Sequence, residues 1–232
     1  MLFPSHAYLT RGRELQRVVR DAGVRVVKDV SAFEAVGAGQ LQGVRYQVNG
    51  AWNAVAAELL LVHHGVVPQV HATRSLNARH EWDALQRCFT PVSDGWGNLS
   101  VDGYAVAGDC GGIAGAQASL LQGRLAALEA ARAMGAINVA ERDRQAAPLR
   151  AELQRHLPIR PFLDALFAPR ASLLNPADEV TVCRCECITA KQLRDAVKLG
   201  AMGPNQVKAF TRCGMGPCQG RMCSLAAAEV IA

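Results

Sequence analysis

Six cysteines fall within the last fifty residues of this 232-residue chain, and four of them constrain its fold most tightly. Cys183 and Cys185 stand one residue apart in CRCE; after 32 intervening residues Cys218 and Cys223 follow in CQGRMC. The segment between has helical character, so the two thiol pairs must be brought together across it to serve one purpose. Soft thiolates select zinc or iron–sulfur centres. Four cysteines suit tetrahedral zinc, although CxC with Cx4C is less typical of zinc than paired CxxC knuckles. Cys213 precedes Cys218 by the interval that separates Cys218 from Cys223, and Cys187 is also near. Either can compete for a place in the ligand set.

Disulfides are disfavoured by the expected compartment. The N-terminal MLFPSHAYLTRGRELQ lacks the apolar core of a signal peptide. No segment reaches the uninterrupted apolar length of a transmembrane helix. A cytoplasmic location is therefore expected, where thiols are kept reduced. Half the residues are hydrophobic and 19% are charged, enough for a packed core of one large or two smaller domains. The net charge of +5 is spread along the chain without a basic block interleaved with aromatics, which argues against a nucleic-acid partner.

Along the chain, Leu15, Val18 and Val19 give helical spacing over 10–22, with Gly23 as the stop. VRVV (24–27), SAFEAV (31–36) and LQGVRYQV (41–48) read as strands. Asn49-Gly50 is a hairpin signal, because both turn residues must accept positive φ. LLLV (59–62) reads as a buried strand entering the loop HHGVVPQ. On such a strand His63 and His64 would point to opposite faces and could not easily chelate one metal. SDGWGN (93–98) is a turn, and Trp82 and Trp96 read as packing residues. YAVAGD (104–109) reads as a strand entering a Gly-rich turn, and ASLLQGRLAALEAARAMG as the helix beyond. PLRAELQRHL and RPFLDALFA are short amphipathic pieces in a linker. A boundary near Asn175-Pro176 opens the cysteine-rich module. There, Thr189 is a candidate N-cap and Gly200 a stop, and PNQVKAFTRCG and CSLAAAEVIA are further helices.

A strand, a Gly-rich turn and a helix form the unit on which α/β proteins bind phosphates and cofactors. Asp109 stands at the end of the first element, where its carboxylate can accept hydroxyls of a ribityl chain or sugar. Gly111, Gly112 and Gly115 allow close approach of a ligand, and the helix aims its amides and positive end at the same place. A tight turn with no ligand explains the glycines equally well. Cys110 reads as a small buried residue, since no redox spacing surrounds it.

YAVAGD, a Gly/Ala turn and AQA resemble the second flavin-contacting segment of the pyridine-nucleotide–disulfide oxidoreductase superfamily. LLLVHHGVVPQ resembles the segment that returns from its nucleotide-binding subdomain. Together with CRCE and TRCGMGPCQGRMC, nearly the whole chain resembles the flavin subunit of opine oxidase, hydrogen cyanide synthase and amino-acid dehydrogenase complexes. The resemblance implies an α/β chain: a partial two-dinucleotide-binding-domain, Rossmann-like flavoprotein fold with a small helical C-terminal [2Fe–2S] domain. It divides the chain into the second half of a nucleotide-binding subdomain (1–64), the C-terminal half of an FAD-binding domain (65–135), a helical linker (136–177) and a bacterioferritin-associated-ferredoxin-like domain (178–232).

The same resemblance implies FAD contacts at Gly108, Asp109, Gly115, Gln117 and Ala118. It assigns a [2Fe–2S] cluster to Cys183, Cys185, Cys218 and Cys223, with Cys187 and Cys213 as bystanders. Arg184, Arg212 and Arg221 are placed in sequence to offset the negative charge of such a cluster; an ordinary solvated role accounts for each equally well. The superfamily's GxGxxG motifs are absent; Gly37-Ala38-Gly39 reads as a turn, so the chain is expected to begin part-way through the nucleotide subdomain. The implied function is an oxidoreductase component that relays electrons between FAD and the cluster, in a complex acting on a carbon–nitrogen bond. No catalytic acid or base is assigned, because the cofactors carry the redox chemistry. The expected partner is a second flavoprotein subunit holding the substrate site; a small ferredoxin-like subunit is a further candidate. The competing expectations are a non-enzymatic [2Fe–2S] electron-transfer or iron-handling adaptor and a zinc-stabilised interaction module.

Overall fold

The computed structural model describes residues 6–63 and 65–232. They fall into two compact units, dividing between residues 64 and 65. His64 lies outside the described residues, so the expected geometry of the His63-His64 pair does too.

The first unit begins with helix α1 (His6–Asp21), which ends where Gly23 takes φ 73°. An antiparallel sheet follows in the order β1 (Val30–Val36), β2 (Gly43–Val48), β3 (Ala51–Ala56). The β2–β3 connection is the expected tight turn. Asn49 and Gly50 both hold positive φ, at 50° and 80°, and the register closes on Val48 opposite Ala51. This is the primed turn whose twist matches that of the flanking strands.

Two expected strands in this unit do not form. VRVV (24–27) is irregular backbone that precedes β1, and LLLV (59–62) is irregular and exposed except at the half-buried Leu60, with Leu61 at 84%. A continuous apolar run becomes a buried strand only when neighbouring strands take up its backbone N–H and C=O groups. No described strand pairs with either segment.

The second unit opens with the short helix α2 (His71–Ser75) and the hairpin β4 (His80–Asp83) and β5 (Cys88–Pro91). Asp83 closes the hairpin by accepting the Leu85 and Gln86 amides, each at 2.9 Å. Trp82 packs edge-on to Phe89 across the strands. Asp94 likewise shapes the SDGWGN turn by accepting the amides of Trp96 and Asn98.

A third expected strand, YAVAGD, does not form either. It contributes one isolated bridge, Ala105 to Asn98, and the Val106 amide donates to the Gly97 carbonyl. With no second ladder available, the segment stays irregular and closes into a 3-10 turn over Gly108–Gly111. Helix α3 (Ala116–Ala133) starts after Gly115, whose φ is 94°.

Helix α4 (Val139–His156) packs beside α3. It is capped by the Asn138 side chain, which accepts the Glu141 amide at 2.9 Å. It runs through Pro148, where the sequence suggested the start of a separate piece. Leu121, Leu125, Ala146 and Leu149 form the core between the two helices. Trp96 closes one end, with the guanidiniums of Arg142 and Arg150 each 4.2 Å from its ring centroid. Two short helices follow, α5 (Arg160–Leu166) and α6 (Ala171–Leu174).

The cysteine-rich end is built from a hairpin, β6 (Thr181–Cys183) and β7 (Ile188–Thr189), and three helices, α7 (Ala190–Lys198), α8 (Pro204–Thr211) and α9 (Ser224–Ile231). Thr189 caps α7 in a reciprocal box with Gln192, and Gly200 ends it at φ 102°. Leu193, Ala196, Ala201, Val207 and Ala227 form the core, into which Cys183, Cys213 and Cys223 also point. No described helix is long and apolar enough to cross a membrane.

Candidate functional site

Three short loops bring the thiols together. Cys183 ends β6, and Cys185 and Cys187 lie in the turn to β7. Helix α8 stops when Arg212 enters the left-handed region at φ 63°, which turns the chain at Cys213. Cys218 lies in the turns that follow, and Cys223 immediately precedes α9.

Two thiol pairs result. Cys183 lies within hydrogen-bonding reach of Cys223, and Cys218 within reach of Cys185. The first pair is buried, each residue 1% exposed; Cys185 is exposed and Cys218 half-buried. Cys213 joins the buried pair: the sulfurs of Cys183, Cys213 and Cys223 all lie within 4.8 Å of one another. Cys187 turns its thiol to the Arg184 carbonyl, 3.7 Å away.

Backbone amides converge on the sulfurs. Burial opposes ionisation of Cys183, but the amides of Gly214 and Glu186, the Cys223 side chain and the Cys185 amide together outweigh it and hold its pKa below the ordinary thiol value. The Gly214 N–H lies 3.5 Å from the Cys183 sulfur. Cys218 is lowered too, first by the Met222 amide and then by the neighbouring Cys185. Burial pushes Cys213 up to about 11 and raises Cys223 further. Amides aimed at sulfur favour anionic thiolate and tune the potential of a bound cluster.

The glycines make this approach possible. A Cβ on Gly216 would stand 2.3 Å from the Cys185 Cβ, so any side chain there displaces the thiol. Gly214 and Gly220 adopt φ 83° and 78°. They line a cavity of about 230 Å³ together with Cys213, Cys223, Val207 and Lys208. Two thiol pairs, converging amides and a glycine-walled loop fit a [2Fe–2S] cluster in donor chemistry. Of the three arginines considered as counter-charges, Arg221 donates to the Cys218 carbonyl at 3.2 Å, and Arg212 pairs with Glu186 at 3.0 Å. Arg184 is exposed.

A second constellation surrounds Asp109. Its carboxylate accepts the Ser119 hydroxyl at 2.9 Å, which ties the 3-10 turn to the first turn of α3. Gly108 is buried against Ser119, and Asp109 and Gln117 are exposed. Ala118 is fully buried. A Cβ on Gly112 or Gly115 would meet nothing within 4 Å, leaving open space over the helix N-terminus. Cys110 is half-buried and bonds the Ala107 carbonyl. Cys88 is buried elsewhere, and burial pushes its thiol up to about 11.

Cys213, which spacing left as a competitor and the resemblance set aside as a bystander, lies inward with Cys183 and Cys223. The left-handed Arg212 that ends α8 turns the chain at this point.

Comparison with known proteins agrees with this geometry. Residues 181–232 match the family described as BFD-like [2Fe-2S] binding domain. An opine oxidase subunit of Rhizobium meliloti is 43% identical over 208 residues, covering 89% of this chain and 40% of that protein. The corresponding opine oxidase subunit of Agrobacterium tumefaciens is 40% identical over 97% of this chain and 44% of its own length. Hydrogen cyanide synthase subunit HcnB of Pseudomonas protegens is 30% identical over 73% of this chain and 36% of its own. The chain thus spans less than half the length of these curated relatives. A solved structure, L-proline dehydrogenase from P. horikoshii, shares the fold with a TM-score of 0.69 and 21% identity, over 95% of this chain and 42% of that one. The chain is therefore a homologue, over most of its length, of these opine oxidase subunits and of HcnB, and it carries a BFD-like [2Fe–2S] binding domain at its end.

Proposed function

We propose that this chain is the electron-transfer portion of an FAD-dependent oxidoreductase subunit, in a complex that oxidises a carbon–nitrogen bond. Cys183 and Cys223 would hold the buried side of a [2Fe–2S] cluster, and Cys185 and Cys218 its exposed side. The observation that carries this reading is the convergence of those thiols into two facing pairs under backbone amides. When bound, the cluster supplies one-electron transfer. The chain's own part is to orient four sulfurs, to aim backbone amides at Cys183 and Cys218, and to keep water from the buried pair.

Asp109 and the start of α3, with Gly108, Gly115, Gln117 and Ala118, would hold part of a flavin in the manner of a partial Rossmann-like flavoprotein fold. The Ser119 bond keeps one carboxylate oxygen in place, and the second can accept a ribityl hydroxyl. Names of the relatives as subunits support partners in a complex, and a second flavoprotein subunit carrying the substrate site is the partner we propose.

Anaerobic reconstitution with iron and sulfide tests the reading. Iron with acid-labile sulfide, and an electron paramagnetic resonance signal after dithionite, are expected. A colourless protein with stoichiometric zinc and no labile sulfide would overturn it in favour of a zinc-held module. A loaded cluster without flavin affinity in a complemented complex would favour the non-enzymatic adaptor.

A further inference from the structure

The thiols are unequally divided between the two sides of the site. Cys185 and Cys218 face each other on the exposed side, where Cys187 is turned away to a carbonyl. The buried side has three sulfurs within 4.8 Å of one another, one more than a pair-and-pair arrangement uses. A tetrahedral metal with metal–sulfur bonds of about 2.3 Å holds its sulfurs roughly 3.8 Å apart. No two of the three sulfurs exceed that spacing by more than about 1 Å.

We propose that Cys213 is an exchangeable ligand of the buried metal position, so that any two of Cys183, Cys213 and Cys223 can hold it. The inference rests on the cluster reading above and adds that only the buried side has a ligand in reserve. Three observations support it. The Cys213 sulfur is turned inward by the left-handed Arg212, with its backbone amide fixed to the Thr211 hydroxyl at 3.1 Å. Gly214 and Gly220 leave no side chain between it and Cys223. The cavity lined by Cys213 and Cys223 gives both arms room to move. In the exchange, Cys213 gives its proton to the thiolate it displaces and takes over that thiolate's bond to the metal. Charge and oxidation state are unchanged.

The proposal predicts an asymmetry that simple core packing of Cys213 does not. The full chain would be reconstituted anaerobically as wild type, Cys183→Ala, Cys223→Ala and Cys218→Ala, and with Cys213→Ala added to each of the first two. Iron, labile sulfide and the reduced paramagnetic spectrum are the readouts, with circular dichroism to check folding. The single changes at Cys183 and Cys223 should retain iron and sulfide with shifted g values. Cys218→Ala and both double variants should lose them. Folded single variants at both buried positions that lose the cluster would overturn the exchange while leaving the cluster reading intact. A wild type without labile sulfide would overturn both. Should an alanine variant not fold, Cys183→Ser and Cys223→Ser replace it; retention that survives the addition of Cys213→Ala would then sink the proposal, because serine oxygen would be the ligand.

Discussion

Glu129 on α3 is held between two guanidiniums, Arg132 on its own helix and Arg142 on α4. Hydrogen bonds from Arg132 and then Arg142 bring its pKa down from 4.5 to about 2. A carboxylate whose pKa is depressed by folding contributes stability that is complete above its unfolded value and lost as pH falls through its folded one. The contribution of Glu129 should therefore fade between about pH 4.5 and about pH 2. Glu129→Gln should flatten the melting temperature in that window and lower it at neutral pH by roughly 2–4 °C. An unchanged acid limb in thermal unfolding would refute this. At the cysteine loop, Gly216→Ala drives a Cβ into the Cys185 side chain. It should sharply reduce iron and sulfide uptake while the circular dichroism spectrum is retained; normal uptake would count against the role given to that glycine. Spacing marked the cysteine-rich end as a thiolate socket, because CxC and Cx4C are local patterns, but it left Cys187 and Cys213 as competitors, and the set of four came from the resemblance. The closeness of Cys213 to Cys183 and Cys223 and the Glu129–Arg142 pair were not legible, since each depends on where a turn or a second helix delivers its partner.

At the scale of elements, what the sequence disclosed was whatever a few adjacent residues decide. The Asn49-Gly50 turn, the Thr189 cap and the Gly200 stop are local conformational preferences, and all appear where expected. Thr189→Ala should cost about 1 kcal/mol by removing one half of the capping box. Chemical denaturation followed by α7 helicity measures it, and a loss below a few tenths would show the cap to be redundant. VRVV, LLLV and YAVAGD failed as strands for the opposite reason. A strand is made by its neighbour, and apolar composition cannot supply the neighbour. Helix α4 crosses Pro148 because its packing against α3 outweighs a single interrupted backbone bond.

Within the second unit, Arg87 joins the β4–β5 hairpin to α9. Its Nε donates to the Glu229 carboxylate at 3.0 Å, and a second guanidinium nitrogen makes a parallel bond. Arg87 sits at the left-handed end of the hairpin turn, at φ 53°. Such two-point pairing fixes orientation as well as distance. Arg87→Ala should leave each part folded and speed proteolytic cleavage in residues 167–180, where the connection is short and partly irregular. An unchanged cleavage rate would mean that the helices alone hold the cysteine-rich end in place. The pair has a consequence for timing. Helix α9 carries Glu229 near one end and follows Cys223 at the other, while β5 touches the turn that bears Asp109. On the proposed reading, donor and acceptor are mounted on one frame. Their separation is then set when the chain folds, and electron passage does not wait for the two halves to find each other.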